Sequence, residues 1–423
     1  MIVSDNMNEK TIFIQIAAYR DPELKNTLIS LLSKAKYPNR LRIGIAWQHS
    51  QTDEWDTLDE YLNDDRFRII DVDHSESQGC CWARNQIQQL YQGEDYTLQL
   101  DSHHRFASDW DETLISMLLN LQALGFDKPL ITAYVPSYDP SNDPAGRVHE
   151  LWKMNFDRFI PEGAMFFLPA AFTSNYNDRP IRGRFYSAHF AFTLGLFALE
   201  VQHNPEYYFH GEEISIAVRA FTHGYDIFHP NVVVCWHEYT RNGRVKQWDD
   251  DSTWGFKNEH SHKLNRLLFG MDEEEEGVID SKYGFGTQRT LHDYEKYAGI
   301  SFKHRAVQQE TLDNKEPPNT FLPDDQWESS LLPIFKHCID IGYDQIPETD
   351  YDFWCVAFKD EYDNDLFRKD ADEEEINHIR NDPDPYCKIW REFETTTKPK
   401  RWVVWPHSKS KGWCTPINGE LNW

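Results

Sequence analysis

Residues 11–47 read TIFIQIAAYRDPELKNTLISLLSKAKYPNRLRIGIAW. Thr11–Ala18 is a short apolar, β-branched run, which predicts a buried strand. Asp21-Pro22 then opens a pattern with Leu24, Leu28, Leu31 and Leu32 at helical spacing. Leu41–Trp47 returns to a strand pattern. The alternation continues outward. Phe67–Val72, Tyr96–Leu100, Pro129–Val135 and Asp226–Trp236 predict strands. Thr52–Leu62, Cys81–Tyr91, Trp110–Leu124, Glu213–Thr222 and Thr290–Ala298 predict helices, and Phe185–Phe197 reads as strand and turn. Such alternation predicts an α/β domain with a mostly parallel sheet, whose ligands bind beyond the C-terminal strand ends. The segments to watch are therefore Ala18–Asp21, Asp71–Asp73 and Asp101–His103.

Asn242–Tyr283 is polar and charged, with an acidic run at Glu273–Glu276. Val307–Asp324, rich in Pro and Asn, reads as a linker. After it, Tyr351–Phe358, Leu366–Lys369 and Arg401–Trp405 read as strands of a small domain. The expected division is 1–306, a linker at 307–325, and a β-rich, sandwich-like module at 326–423.

The 423 residues carry a net charge of −27, of which residues 301–423 contribute −10. Both parts are acidic, which argues against a duplex nucleic-acid partner and an anionic membrane surface. No apolar run is long enough to span a membrane. Seven scattered Cys form no disulfide pattern and no C-x-x-C pair. The expectation is a cytoplasmic protein.

Four motifs bear chemistry. Asp101-Ser102-His103 follows a predicted strand, and its carboxylate and imidazole project to one side of an extended segment. Together they suit Mn²⁺, although a capping Asp with a surface His gives the same triplet. His210-Gly211-Glu212-Glu213 precedes a predicted helix, where acidic residues also serve a helix N-terminus, and the Gly permits close approach of a ligand. His237-Glu238 ends a strand, and a zinc-protease reading fails because Arg241 stands where a second His is required. Gly79–Asn85 (GCCWARN) fits neither a dinucleotide nor a P-loop fingerprint, yet Arg84 can serve a diphosphate or pair with a carboxylate.

The segments IFIQIAAYRDPELKNTL, GCCWARN, YTLQLDSHHRF, YFHGEEISIAVRAFTHGYDIFHP, CWHEYTR and YGFGTQRTLHDYEKYAGISF run in the order found in a GlcNAc-transferase family. The chain resembles that family, which includes the cytoplasmic enzyme modifying hydroxyproline and is related to the polypeptide N-acetylgalactosaminyltransferases. The resemblance spans residues 11 to about 303. It implies a GT-A fold, a UDP-sugar donor (GlcNAc favoured), Mn²⁺ or Mg²⁺, and retention of anomeric configuration. It places the metal on Asp101, His103 and His237, and the donor sugar on Glu212. His210 departs from the Gly of the relatives. The nucleotide falls to Tyr19, Arg20 and Asp71 and the diphosphate to Arg84, with Arg241 assisting catalysis. Ser102 and Gly211 lie in the same donor-binding segments.

The acceptor is expected to be a hydroxyl on a protein or glycan. A metal also explains how so acidic a chain would bind an anion. Two other readings compete. A phosphoesterase would need a second metal cluster, and no Gly-Asp-x-x-Asp or Gly-Asn-His-Glu element is present. A non-catalytic binding protein would use Trp402, Trp405 and Trp413 to stack on sugars, although Trp in a short β domain more often serves the core.

Overall fold

The computed structural model describes residues 10–171, 179–241, 243–273 and 280–421. The chain divides into two compact units. The first holds the chain up to Phe156, Phe167–Gly299 and Glu310–Phe321; the second holds Asp157–Phe166, Ile300–Gln309 and the chain from Leu322 onward.

The first unit is built on β1 (Ile12–Tyr19), β2 (Leu41–His49), β3 (Phe67–Asp73), β4 (Tyr96–Asp101), β5 (His104–Phe106), β6 (Pro129–Thr132), β7 (Ile181–Arg182), β8 (Phe190–Leu194), β9 (Asp226–His229) and β10 (Cys235–His237). Eight of these form one sheet in the order β3-β2-β1-β4-β8-β6-β9-β7. Strands β3, β2, β1 and β4 run parallel, whereas β8 runs antiparallel to both β4 and β6. Each parallel crossover needs a connecting segment, and α1 (Leu24–Lys34) and α2 (Cys80–Gln88) supply two of them. Helix α1 buries Leu24, Leu28 and Leu31 against the sheet. Each such side chain contributes about 1.5–3 kcal/mol of hydrophobic stabilisation. Helix α3 (Trp110–Ala123) adds Trp110, Leu114, Ile115 and Leu118 to the same core.

Two expectations need correction. Thr52–Leu62 is a chain of turns closed by i to i+3 bonds such as Asp56 N–H to Asp53 O (2.8 Å). Asp56 accepts the Trp47 indole N–H at 2.7 Å, so it serves the core rather than a helix face. Asp226–Trp236 is not one strand: β9 ends before Pro230, which brings no N–H to a ladder, and β10 joins a different sheet. The polar stretch after 242 contains α5 (Trp254–Leu268), whose Leu264 packs on Cys81 and Tyr207. Of the acidic run, 274–276 lie outside the described residues.

The segment read as a linker is ordered. Buried Arg184 donates to Ala298 O (2.9 Å), Lys315 O (2.6 Å) and Asn319 Oδ1 (2.5 Å), and Asn319 in turn donates to Thr311 Oγ1 (3.0 Å). Its Asn319 side chain and Lys315 carbonyl satisfy a buried guanidinium, which composition alone reads as solvent exposure.

The second unit is β-rich. Ile334–Gly342 pairs with Tyr386–Glu394 along their full lengths. Tyr351–Lys359 pairs with Asp365–Arg368 and Arg401–Ser408, and the latter carries Gly412–Trp413 and Ile417–Glu420. One core of Phe335, Ile339, Trp354, Val356, Phe358, Ile389 and Val404 serves both sheets. Trp354 is fully buried, whereas Trp405 and Trp413 are exposed.

Candidate active site

The C-terminal ends of β1 and β4 open into a cleft of roughly 770 Å³, part of it continuous with solvent. Its lining includes Tyr19, Asp21, Asp101, Ser102, His103, Arg241, Arg244 and Lys246. The antiparallel pair β5–β10 sets His237 opposite His104 and so brings it to the Asp101–His103 turn. Asp101, His103 and His237 each offer a ligand atom, and these atoms lie within 4.8 Å of one another. Asp101 Oδ2 is 3.3 Å from His237 Nε2 and 3.7 Å from His103 Nε2. A carboxylate oxygen and two imidazole nitrogens form a donor set that suits Mn²⁺.

The other Asp101 oxygen, Oδ1, accepts from Arg84 Nη2 at 2.6 Å. Arg84 Nη1 donates to Glu212 Oε1 at 2.5 Å. Arg84 is thus a buried bridge between two carboxylates and does not line the cleft. Burial raises the Glu212 carboxyl, but Arg84 and His203 outweigh it and leave it at about 2. Asp101 is likewise opposed by burial, yet His237 and Arg84 hold it well below the usual carboxylate range. The His237 imidazole is pushed down by burial, so it stands neutral and able to ligate.

Helix α4 (Glu212–Thr222) starts at Gly211, whose φ of +87° is a left-handed conformation. A side chain there would meet Asn265 at 3.0 Å. Glu213, the next carboxylate, accepts from Ala188 N–H (2.9 Å) and Tyr134 Oη (2.8 Å). Its burial dominates and pushes it up to about 7.

The remaining expected residues are dispersed. Tyr19 lines the cleft and donates to Asp250 Oδ2 (2.7 Å). Arg20 is bound to Asp53 (2.7 Å) and Asp250 (2.9 Å). Asp71 is exposed on β3 and meets His49 Nε2 at 2.9 Å, outside the cleft lining. Arg241 lies 5.7 Å from the Phe209 ring centroid and 5.4 Å from that of Trp248. Sequence reasoning passed over Arg244 and Lys246. Their signal was three cations in six residues, Arg241 to Lys246, within a chain of net charge −27. It also passed over Asp21 as a partner of His103, at 2.7 Å.

The model of the family described as Glycosyltransferase (GlcNAc) matches residues 11–61 and 54–304. The chain belongs to this glycosyltransferase family. The structure of GalNAc-T7 with UDP, GalNAc and Mn²⁺ is similar to this glycosyltransferase over 99% of this chain and 73% of that one, with 11% identity and a TM-score of 0.51. That likeness shows a GT-A fold. S. aureus TarS 1-349 (10% identity, 63% of this chain and 76% of that one, TM-score 0.37) is more distant. So is the mannosyltransferase PcManGT from Pyrobaculum calidifontis (11% identity, 64% of this chain and 67% of that one, TM-score 0.36). Comparison with curated protein sequences gives no match. Among the described residues, no helix is long and apolar enough to cross a membrane.

Proposed function

We propose that this glycosyltransferase moves GlcNAc from UDP-GlcNAc to a hydroxyl of a protein or glycan, with Mn²⁺ (or Mg²⁺) on Asp101, His103 and His237. The observation that carries the reading is the three-residue donor cluster beside a cleft wall bearing Arg241, Arg244 and Lys246. The bound ion would neutralise charge developing on the departing diphosphate. Arg241 and Arg244 face the same anion from the opposite segment and raise its local concentration in an otherwise negative protein. Arg84 holds Asp101 and Glu212 in place from beneath, and Glu212 orients the donor sugar.

A retaining course fits the cleft. Its acidic lining residues are Asp21 and Asp101, and both are engaged by cationic or imidazole partners. Burial pushes the Cys80 thiol, also on the wall, up to about 12, so no thiolate is ready there. The acceptor hydroxyl then attacks from the leaving-group side, with its proton taken by the diphosphate. The free Cys residues fit a cytoplasmic setting. The net charge favours a neutral or basic acceptor, and the β-rich unit is assigned as an accessory module.

A thermal-shift screen of UDP-sugars with and without Mn²⁺, followed by UDP release, tests the reading. UDP-GlcNAc should stabilise most strongly when Mn²⁺ is present. Asp101→Ala and His103→Ala should remain folded and lose turnover. Turnover retained in both variants, or a chelator-resistant activity, would sink the metal assignment.

A further inference from the structure

The cleft wall contains a carboxylate that the reading above leaves without a task. Asp21 is 4% exposed and follows β1 directly. Its Oδ2 takes three donors: Ser102 Oγ (2.6 Å), His103 Nδ1 (2.7 Å) and Arg244 Nη1 (2.9 Å). Its Oδ1 accepts from the backbone N–H of Glu23 at 2.9 Å. Each of these contacts comes from a hydroxyl, ring nitrogen, guanidinium or backbone N–H that a carboxylate can accept.

The contact with Asp21 bears on the tautomer of His103. Arg244 can only donate, and its Nη1 stands 2.5 Å from His103 Nδ1 as well as 2.9 Å from Asp21 Oδ2. If Nδ1 were the bare nitrogen, its lone pair would face the carboxylate at 2.7 Å, a repulsive contact in a buried place. If Nδ1 carries the hydrogen, it donates to Asp21, and Arg244 Nη1, which can only donate, turns its hydrogens away from Nδ1 to the same carboxylate oxygen. The second arrangement leaves His103 Nε2 bare, 3.7 Å from Asp101 Oδ2 and 3.2 Å from Arg244 Nη1. A metal ligand requires that bare nitrogen.

Arg244 extends the connection. Its Nη2 donates to Glu238 Oε2 at 2.9 Å, and Glu238 accepts the backbone N–H of Arg241 at 3.0 Å through Oε1. One chain of bonds therefore joins the end of β1, the Asp101–His103 turn and the segment that carries Arg241.

We propose that Asp21 is the positioning residue that fixes His103 in its metal-ligating tautomer, and that Arg244 ties it to the segment presenting Arg241. This rests on the metal reading above. Outer partners of ligating imidazoles commonly change metal affinity by about 10–100-fold when removed.

The test is Mn²⁺ binding to the full chain, followed by loss of the free-ion paramagnetic resonance signal in the absence of UDP-sugar. Asp21→Asn should weaken Mn²⁺ by about 10-fold or more. It should also raise the Mn²⁺ concentration for half-maximal UDP release more than it lowers kcat at saturating Mn²⁺. Arg244→Met keeps the Asp21–His103 bond. It should bind Mn²⁺ within about threefold of the unaltered chain while its KM for UDP-GlcNAc rises.

Asp21→Asn binding Mn²⁺ as tightly as the unaltered chain would overturn the proposal and leave the metal site standing. So would a tenfold loss of Mn²⁺ affinity in Arg244→Met, which serves as the test should Asp21→Asn fail to fold. An unaltered chain that binds no Mn²⁺ would overturn the metal reading itself, and this inference with it.

Discussion

Replacing Arg84 with Met removes a cation that Asp101 and Glu212 share, while keeping most of the side-chain volume. The Arg84 side chain is 4% exposed, Glu212 5% and Asp101 27%. Its two bonds measure 2.6 and 2.5 Å. Removing one partner from a buried ion pair costs about 3–5 kcal/mol, chiefly because the other charge stays buried. For a unit this large, about 2–4 °C of Tm accompanies each kcal/mol, so the expected loss is roughly 10 °C.

The pH dependence should invert. In the unaltered chain Glu212 is depressed to about 2, so its contribution is present above its unfolded pKa and is lost as pH falls through about 2. In Arg84→Met the buried carboxyls prefer their neutral forms, so the deficit should narrow below about pH 5. Scanning calorimetry of Arg84→Met and of Arg84→Met/Glu212→Gln measures both effects. The double variant should be the more stable of the two, since it buries one fewer unpaired charge. A Tm within 2 °C of the unaltered chain, or a double variant less stable than the single, would refute the bridge.

Glu213, raised to about 7 by burial, should cost stability as pH climbs from its unfolded pKa toward 7, because the folded state binds the extra proton. Glu213→Gln should flatten the Tm profile across that window. Arg241→Ala should raise the KM for UDP-GlcNAc about tenfold or more, with an effect that shrinks in high salt, as expected for a cation facing a diphosphate. Gly211→Ala forces a side chain into φ +87° against Asn265 and should cost about 1–2 kcal/mol, read by denaturant titration.

Local pattern explains what the sequence disclosed. Strands β1 to β4 are short apolar runs bounded by polar segments, and local pattern alone shows them. Asp101 and His103 were visible because two candidate ligands share one turn. What stayed hidden depends on distant pairing. Arg84 meets Glu212 across 128 residues, and Arg244 meets Asp21 across 223. Either arginine reads equally well as a phosphate ligand until its partner is known. Thr52–Leu62 was misread because Asp56 is held by the Trp47 indole, a tertiary bond that helical spacing does not encode. Within 307–324, buried Arg184 draws Lys315 O and Asn319 inward, a long-range pairing that composition does not encode.

The Arg84 bridge also bears on the order in which a ribosome releases this chain. Arg84 and Asp101 emerge well over 100 residues before Glu212, and His237 follows later still. Until then the parallel strands β1 to β4 can assemble while Arg84 has only half of its counter-charge. A nascent chain halted before residue 212 should therefore hold a sheet whose charged end stays hydrated and loose. The same end would close only when the second half arrives, which makes late synthesis the step that commits this protein to a working centre.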